Sequence, residues 1–138
     1  MGTQKLLEDL MMPNHYYCPS CWADMDQKSR QCLQCGYDLS NYEKLSYEEK
    51  LILALKHPIR ENRMIAVQVL GKLHSRAAIP FFATLLQTEE DFYMIREIVY
   101  ALLQIGNVQS INIIQKLKDH PLGLVRHFVA DINADRVP

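Results

Sequence analysis

The stretch that decides the fold is RMIAVQVLGKLHSRAAIPFFATLL, residues 63–86, in which two apolar segments flank a break at Gly71–Ser75. The first of these segments recurs twice, so that stretches beginning at His57, Glu90 and His120 align with spacings of 33 and 30 residues. Three positions of the alignment carry matching residue types: Arg63, Arg96 and Arg126; Ala66, Val99 and Val129; Val69, Leu102 and Ile132. The two apolar positions fall three and six residues after the arginine, on one face of a helix. A repeat of this length is typical of stacked helical units.

A shorter apolar segment precedes each repeated one: YEEKLILALK, RAAIPFFATLLQ and VQSINIIQKLKD. Turn residues at Gly71–Ser75 and Gly106–Asn107 separate the segments, together with His-Pro or acidic corners. The pattern predicts three antiparallel helix pairs. Because one pair cannot cover its own apolar face, successive pairs must stack to create a core. We therefore expect a mainly α-helical solenoid over residues 46–138.

The order of residues in each unit resembles HEAT repeats of the short bacterial class. The unit has an acidic corner, an apolar residue and arginine, a small residue and Leu-Gly or a close variant. A helix of the type Ile-Pro-x-x-x-x-Leu-Leu follows, and the resemblance covers nearly all of residues 47–134. It implies that the arginine pairs with an acid at the corner, where Glu89 and Asp119 stand. Lys56 breaks this pattern in the first unit, so Arg63 needs another partner, such as Glu61 or a residue near the cysteines.

All four cysteines lie in YYCPSCWADMDQKSRQCLQCGYDL, residues 16–39, as two Cys-x-x-Cys pairs separated by ten residues: Cys18 and Cys21, then Cys32 and Cys35. Structural zinc prefers four tetrahedral ligands, thiolates above all, and a closed set of four leaves no position for a catalytic water. Redox exchange is the rival reading, but a redox Cys-x-x-Cys normally lies where a strand feeds a helix, and neither pair has that context. We expect one structural zinc ion. Its binding should fold this segment, which is too short to bury a sufficient apolar core.

The cysteine spacing and its flanks resemble a short bacterial zinc ribbon. The matching residues are Tyr17, Cys18, Pro19, Cys21, Cys32, Cys35, Gly36 and Leu39. The departures are Trp22, where the pattern has glycine, and Gln31, where it has an aromatic residue. Trp22 is expected either to seal the ribbon against the helices or to be exposed for a partner.

The chain is predicted to have three regions: an N-terminal segment 1–14 that forms a short docking helix, a zinc ribbon with its linker over 15–45, and the repeats over 46–138. Ser46 and Glu49 have the spacing of a capping box, which marks the start of the repeats. No apolar run approaches the ~20 residues of a membrane-spanning helix, and the N-terminus lacks the basic region of a secretory signal. We expect a cytoplasmic bacterial protein without membrane association, in a compartment that disfavours disulfides.

The second helix of each pair usually lines the concave surface on which a repeat stack binds its partners. Counting from the aligned arginines places Lys72 and most of the candidate partner-binding residues on the outward side of these helices. With the ribbon tryptophan added, the candidates are Trp22, Met64, Gln68, Glu97, Tyr100, Gln104, His127 and Asp131. A mixed polar face is also what an ordinary solvated helix presents.

The functional prediction is a non-enzymatic interaction scaffold for an unidentified protein partner, with the oligomeric state left open. A net charge of −1 disfavours nucleic acid, and the scattered glycines form no phosphate loop. His57 and His120 share a corner position before proline, which indicates a turn role rather than catalysis. Two alternatives remain: a nucleic-acid-binding zinc-ribbon protein, and an accessory factor of a cofactor-handling system similar to that of bilin lyases, whose HEAT repeats these resemble.

Overall fold

The computed structural model describes residues 16–25 and 30–136, with side chains described as far as Ile132. The predicted docking helix of segment 1–14 lies outside the described residues.

The N-terminal cysteine module, residues 16–43, combines a small antiparallel sheet with one short helix. Strand β1 (Tyr16–Tyr17) pairs with β2 (Asp24–Met25). An isolated bridge joins Gln31 to Asp38 and leads into helix α1 (Leu39–Glu43). The Asp38 carboxylate caps α1 by accepting the backbone N–H of Ser40 at 2.9 Å. Such a module places all four cysteines on two tight turns.

Six further helices form three antiparallel pairs, which confirms the predicted repeat architecture. They are α2 (Tyr47–Ala54), α3 (Arg60–Lys72), α4 (Ile79–Thr88), α5 (Phe92–Ile105), α6 (Val108–Lys116) and α7 (Gly123–Arg136). Short 3-10 turns precede α4 (Arg76–Ala78) and follow α6 (Leu117–Asp119). None of the helices in the described part of the chain has the length and apolar character needed to cross a membrane.

The helix ends follow the local signals of the sequence. The predicted capping box is present: the Ser46 hydroxyl accepts the Glu49 N–H, and the Glu49 carboxylate accepts the Ser46 N–H, both at 3.1 Å. Gly106 ends α5 in the left-handed conformation, with φ 67°. The predicted break at Gly71–Ser75 contains the turn, which falls at His74 with φ 53°, but it begins two residues too early because α3 continues through Lys72.

Gly71 lies within helix α3, at a point where α3 and α5 approach each other closely. A Cβ atom built at Gly71 would lie 2.8 Å from the Cα of Ala101 and 2.9 Å from its Cβ. These separations are shorter than a non-bonded contact between two carbon atoms allows, so glycine is the residue that fits against the α5 backbone here. The absence of a side chain, rather than turn formation, explains this glycine.

The core runs continuously through the three pairs. Its fully buried side chains include Val67, Leu70, Ile79, Phe82, Met94, Ile95, Ile98, Val99, Leu102, Ile114, Val125 and Val129. Five of the six apolar positions predicted to share a helix face contribute to it: Ala66, Val99, Val129 and Leu102 are buried, and Ile132 packs against the cluster. The prediction is wrong for Val69, which is only half-buried, because Val67 and Leu70 supply the core side chains of α3. Stacking of the pairs therefore covers the apolar faces that single pairs expose.

The corner histidines have the turn role that the sequence predicts. His57 Nδ1 accepts the backbone N–H of Ile59 at 3.0 Å, and His120 Nδ1 accepts that of Leu122 at 3.1 Å. Each ring therefore satisfies a backbone donor at the entry to a long helix.

The predicted pairing of the repeated arginines with corner acids is wrong. Arg63 donates to the carbonyl oxygens of His57 and Pro58 at 2.8 and 3.2 Å. Arg126 does the same to His120 and Pro121, at 2.7 and 2.9 Å. The neighbouring acid Glu89 instead accepts the backbone N–H of Asp91, and Arg96 lies beside Glu97. The guanidinium groups of Arg63 and Arg126 donate to backbone carbonyl oxygens of the corner because buried or partly buried C=O groups need hydrogen-bond donors.

Candidate metal centre and interaction surface

The four cysteine sulfurs converge on one point. Cys18 Sγ lies 3.6 Å from Cys35 Sγ, Cys21 Sγ lies 3.7 Å from Cys32 Sγ, and all four lie within 4.8 Å of one another. A disulfide would bring two sulfurs to ~2.05 Å, and the four cysteines are free thiols. The cluster could hold a metal ion.

Two similar turns build the cluster, related by a shift of fourteen residues in the chain. In the first, the Ser20 N–H points to Cys18 Sγ; in the second, the Gln34 N–H points to Cys32 Sγ, and both distances are 3.4 Å. A backbone N–H aimed at sulfur favours the thiolate over the thiol. Each turn is thus prepared to present a negatively charged ligand.

Trp22 and Gly36 occupy equivalent places after the two turns. The Trp22 N–H donates to Cys18 O at 2.7 Å and the Gly36 N–H to Cys32 O at 2.9 Å. Both residues are left-handed, with φ 62° for Trp22 and 79° for Gly36. That conformation costs an L residue roughly 1–2 kcal/mol, and glycine nothing comparable. The first turn therefore carries a strain that the second does not.

The sulfur environments split the acidities of the thiols. The backbone N–H of Cys35 donates a hydrogen bond that lowers the pKa of Cys32. Burial acts in the opposite direction, but a second hydrogen bond from the Gln34 N–H helps to bring the pKa to about 6. The backbone N–H of Ala23 lowers the pKa of Cys21, but burial and the adjacent sulfurs outweigh it and raise that pKa to about 12. Deprotonation of several neighbouring thiols is unfavourable because the thiolate charges repel one another. A bound cation would offset this repulsion and favour the thiolates.

Trp22 docks the cysteine module onto the first helix pair. Its ring meets His57 edge to face, with centroids 5.1 Å apart, and Tyr17 meets the same imidazole at 5.0 Å. His57 thus contacts two aromatic rings of the module while its Nδ1 accepts the Ile59 N–H. Burial lowers the pKa of His57, and the charge of Arg63 lowers it further, so the neutral ring is favoured.

The structure brings four of the predicted partner-binding residues into one groove between α3 and α5. The groove has a volume of about 610 Å³, and its lining includes Gln68, Lys72, Glu97, Tyr100 and Gln104. The remaining candidates lie elsewhere: Met64 packs against the core, Trp22 contacts His57, and His127 and Asp131 are exposed on α7.

Sequence reasoning missed the aromatic neighbours of Tyr100. Its ring meets Phe128 edge to face at 5.4 Å, and Phe128 in turn meets Phe92 at 5.9 Å. Tyr93, two turns before Tyr100 on α5, is exposed and lies under the guanidinium of Arg96 at 5.2 Å. The seven-residue spacing of the two tyrosines, which places them on one helix face, is the signal that could have found this cluster.

The fold defines the protein as a helical repeat solenoid preceded by a four-cysteine module. A profile of HEAT repeats matches residues 48–130, more than half of the chain. The chain belongs to the HEAT repeat family. A comparison with curated proteins finds no match. Repeat stacks of this kind present extended concave surfaces for binding, and HEAT repeats commonly mediate interactions between proteins.

Proposed function

We propose that the protein is a non-enzymatic interaction scaffold that binds a partner protein along the concave face of α3, α5 and α7, with one structural zinc ion holding the cysteine module. The observation that supports this proposal most directly is the groove between α3 and α5, where Gln68, Glu97, Tyr100 and Gln104 meet. Primary amides and a phenol offer both donors and acceptors to a bound chain.

The chemistry of the cysteine cluster fits zinc. Tetrahedral thiolates at a Zn–S distance of about 2.3 Å have sulfurs roughly 3.8 Å apart. The Cys18–Cys35 and Cys21–Cys32 sulfur separations, 3.6 and 3.7 Å, are close to that value. Cys18, Cys21, Cys32 and Cys35 would hold the ion, and a set of four thiolates closes the coordination sphere. The zinc would then have a structural role.

The cysteine module would cap the N-terminal end of the stack. The Trp22 and Tyr17 rings cover His57 at the corner between α2 and α3. Terminal repeats need such a cover because they have no neighbouring unit on one side. In this arrangement the zinc site supports the scaffold rather than chemistry on a substrate.

Affinity capture from native lysate tests the interaction surface. Tyr100→Ala truncates a residue that is 45% exposed and lines the groove, and Phe81→Ala truncates a residue that is 44% exposed on α4 and does not line it. We expect partners to be lost with Tyr100→Ala and retained with Phe81→Ala. If partners are lost with Phe81→Ala alone, the binding surface lies on α4 and not in the groove between α3 and α5. If the intact chain captures no protein, the scaffold proposal is contradicted.

Elemental analysis tests the metal. The expected result is close to one zinc per chain after purification without added metal. A metal-free protein with two disulfides would refute the structural zinc.

A further inference from the structure

Three equivalent arginines occupy the repeats, and the middle one is not used at its corner. Arg63 and Arg126 each bind two corner carbonyl oxygens at 2.7–3.2 Å. Arg96 instead lies over the Tyr93 ring, with its Nη2 3.5 Å from a Glu97 oxygen. Its Nε is buried and has no hydrogen-bond partner among residues 16–25 and 30–136.

The start of α5 explains this difference. Helices α3 and α7 begin three residues before their arginine, whereas α5 begins four residues before Arg96. The carbonyl of Asp91, which corresponds to that of Pro58, is therefore already bonded to the Ile95 N–H, at 3.0 Å. The Asp91 carboxylate is also engaged, because it caps α5 and forms an ion pair with Arg60. One of the two carbonyls that Arg63 and Arg126 bind is thus already engaged in the middle repeat, and Arg96 contacts Glu97 and the Tyr93 ring instead.

Arg96 lies at the centre of an exposed stripe on α5. Tyr93, Arg96 and Tyr100 follow one another at helical spacing, with the two rings 56% and 45% exposed and the Arg96 side chain 36% exposed. Tyrosine and arginine are enriched among the residues that dominate binding energy at protein interfaces. Arg96 Nε is buried without an acceptor in the described part of the chain, whereas the exposed part of the same guanidinium is free to donate hydrogen bonds to a group on a partner.

The charges around the stripe select the partner. Lys72 is exposed in the adjoining groove, while the acid Glu97 is only 16% exposed. Arg60 and Asp91 neutralise each other at the edge. On α3 and α5 an incoming chain therefore meets Lys72 and Arg96 as accessible cations and Glu97 as a largely covered carboxylate, while the exposed Asp131 lies on α7.

We propose that the Tyr93–Arg96–Tyr100 stripe binds an acidic segment of a partner protein, with a partner carboxylate accepting hydrogen bonds from the Arg96 guanidinium between the two tyrosine rings. This rests on the proposed scaffold function and adds the chemistry of the partner. A guanidinium and a carboxylate match as a pair of parallel hydrogen bonds, which fixes the geometry of the contact. The aromatic rings exclude water from it.

The test uses the full-length, metal-loaded chain and a defined array of twelve-residue peptides. Each peptide carries one aromatic residue and three glutamates in every possible spacing, and matched peptides replace the glutamates by glutamine or by lysine. We expect binding to be selective for glutamate over both replacements, and to weaken as salt is added. Equal binding of glutamine and glutamate peptides, selectivity for lysine peptides, or no binding on the array would overturn the inference.

The equivalent arginines supply the matched controls. Arg96→Gln should weaken the selected glutamate peptides by about tenfold or more while leaving the melting temperature unchanged or higher. Arg63→Gln and Arg126→Gln should lower the melting temperature because they remove hydrogen bonds to the corner carbonyl oxygens. Neither variant should change the peptide affinity at 20 °C by more than about twofold. Arg96→Lys keeps the charge but not the paired hydrogen bonds, so it should restore only part of the affinity.

The outcomes separate this inference from the scaffold proposal. If lysate partners are lost with Tyr100→Ala but retained with Arg96→Gln, the concave face binds a partner without the acidic contact, and only the inference fails. If the intact chain captures no partner and binds no peptide, both fail.

Discussion

In the cysteine module the buried cluster among described residues consists of Cys18, Met25 and Cys32, whereas the helical repeats bury a continuous apolar core from Leu55 to Val129. Two of the three buried residues of the module are thus candidate metal ligands. A domain that buries little apolar surface needs another source of stability, and a metal ion bound by the four cysteines would be such a source. The repeats gain theirs from stacking. The two regions should therefore respond to different perturbations.

Removal of the metal ligands should produce the largest effect and confine it to the module. Cys18→Ser or a strong chelator should unfold residues 16–43, because zinc binding to such modules contributes ~10–16 kcal/mol at neutral pH. The helical circular dichroism of the repeats should remain. Trp22 is the single tryptophan of the chain, so its fluorescence reports the module and its contact with His57, and circular dichroism reports the repeats separately.

Ser20→Ala is the matched control, since its backbone N–H still points to Cys18 Sγ. Unchanged tryptophan fluorescence after chelation would show that the module folds without metal. Collapse of the helical signal would show that the repeats also depend on it.

A core truncation in the repeats should act in the opposite region. Phe82→Ala empties a fully buried site and should lower the free energy of unfolding by roughly 3–5 kcal/mol. Zinc content per folded chain should not change. Its neighbour Phe81 is 44% exposed, and Phe81→Ala should cost under about 0.5 kcal/mol. Chemical denaturation followed at 222 nm measures both, and equal losses would contradict the buried position of Phe82.

The close approach of α3 and α5 gives the next largest effect. Gly71→Ala gains helix propensity but forces a Cβ against the Ala101 backbone at 2.8 Å, so we expect a net loss of roughly 1–3 kcal/mol. Gly123→Ala is the matched control, because its Cβ would meet only the flexible end of Arg126 at 3.4 Å. Thermal melting should show a lower midpoint for the first variant alone. A higher midpoint for Gly71→Ala would mean that the helices can separate at little cost.

The contact between the two regions should contribute less. A double-mutant cycle of Trp22→Ala and His57→Ala should give a coupling free energy of about 0.5–1.5 kcal/mol, as expected for an edge-to-face aromatic pair. Denaturation of the repeats, followed by circular dichroism, is the readout. Trp22→Gly should retain zinc, since it relieves the left-handed backbone while removing the ring. A coupling near zero would mean that the module does not brace the repeats.

The smallest expected effect is a pH dependence of this contact. Burial holds the pKa of His57 below its ordinary value of about 6.5, with the Arg63 charge acting in the same direction. The contribution of the neutral ring is therefore fully present above about pH 6.5 and is lost as the pH falls through the lowered pKa of the folded state. The measured quantity is the difference in stability between the wild type and His57→Phe across pH 5–8. A difference that does not change with pH would refute the role of His57 protonation.

Much of the fold could be predicted because its signals are local. The apolar period, the capping box at Ser46 and the two Cys-x-x-Cys turns are each encoded within a few residues. Two of the errors have physical causes outside that range. Gly71 resembles a turn residue in the sequence, but its role depends on Ala101, thirty residues away. The predicted partners of the arginines were wrong because the actual acceptors are backbone carbonyl groups. Every residue has one, so the sequence does not show which carbonyl accepts the hydrogen bond.

By itself, the sequence determined the three helix pairs, the apolar faces that stack and the four cysteines that converge, because periodicity, caps and short ligand spacings act along the chain. Only the tertiary structure decided that Trp22 meets His57, that Gln68 and Tyr100 share a groove, and that Arg96 is released from its corner. These contacts depend on the distances between packed elements and on a one-residue difference in where α5 begins. Neighbours across an interface are set by how helices pack, which no single segment encodes.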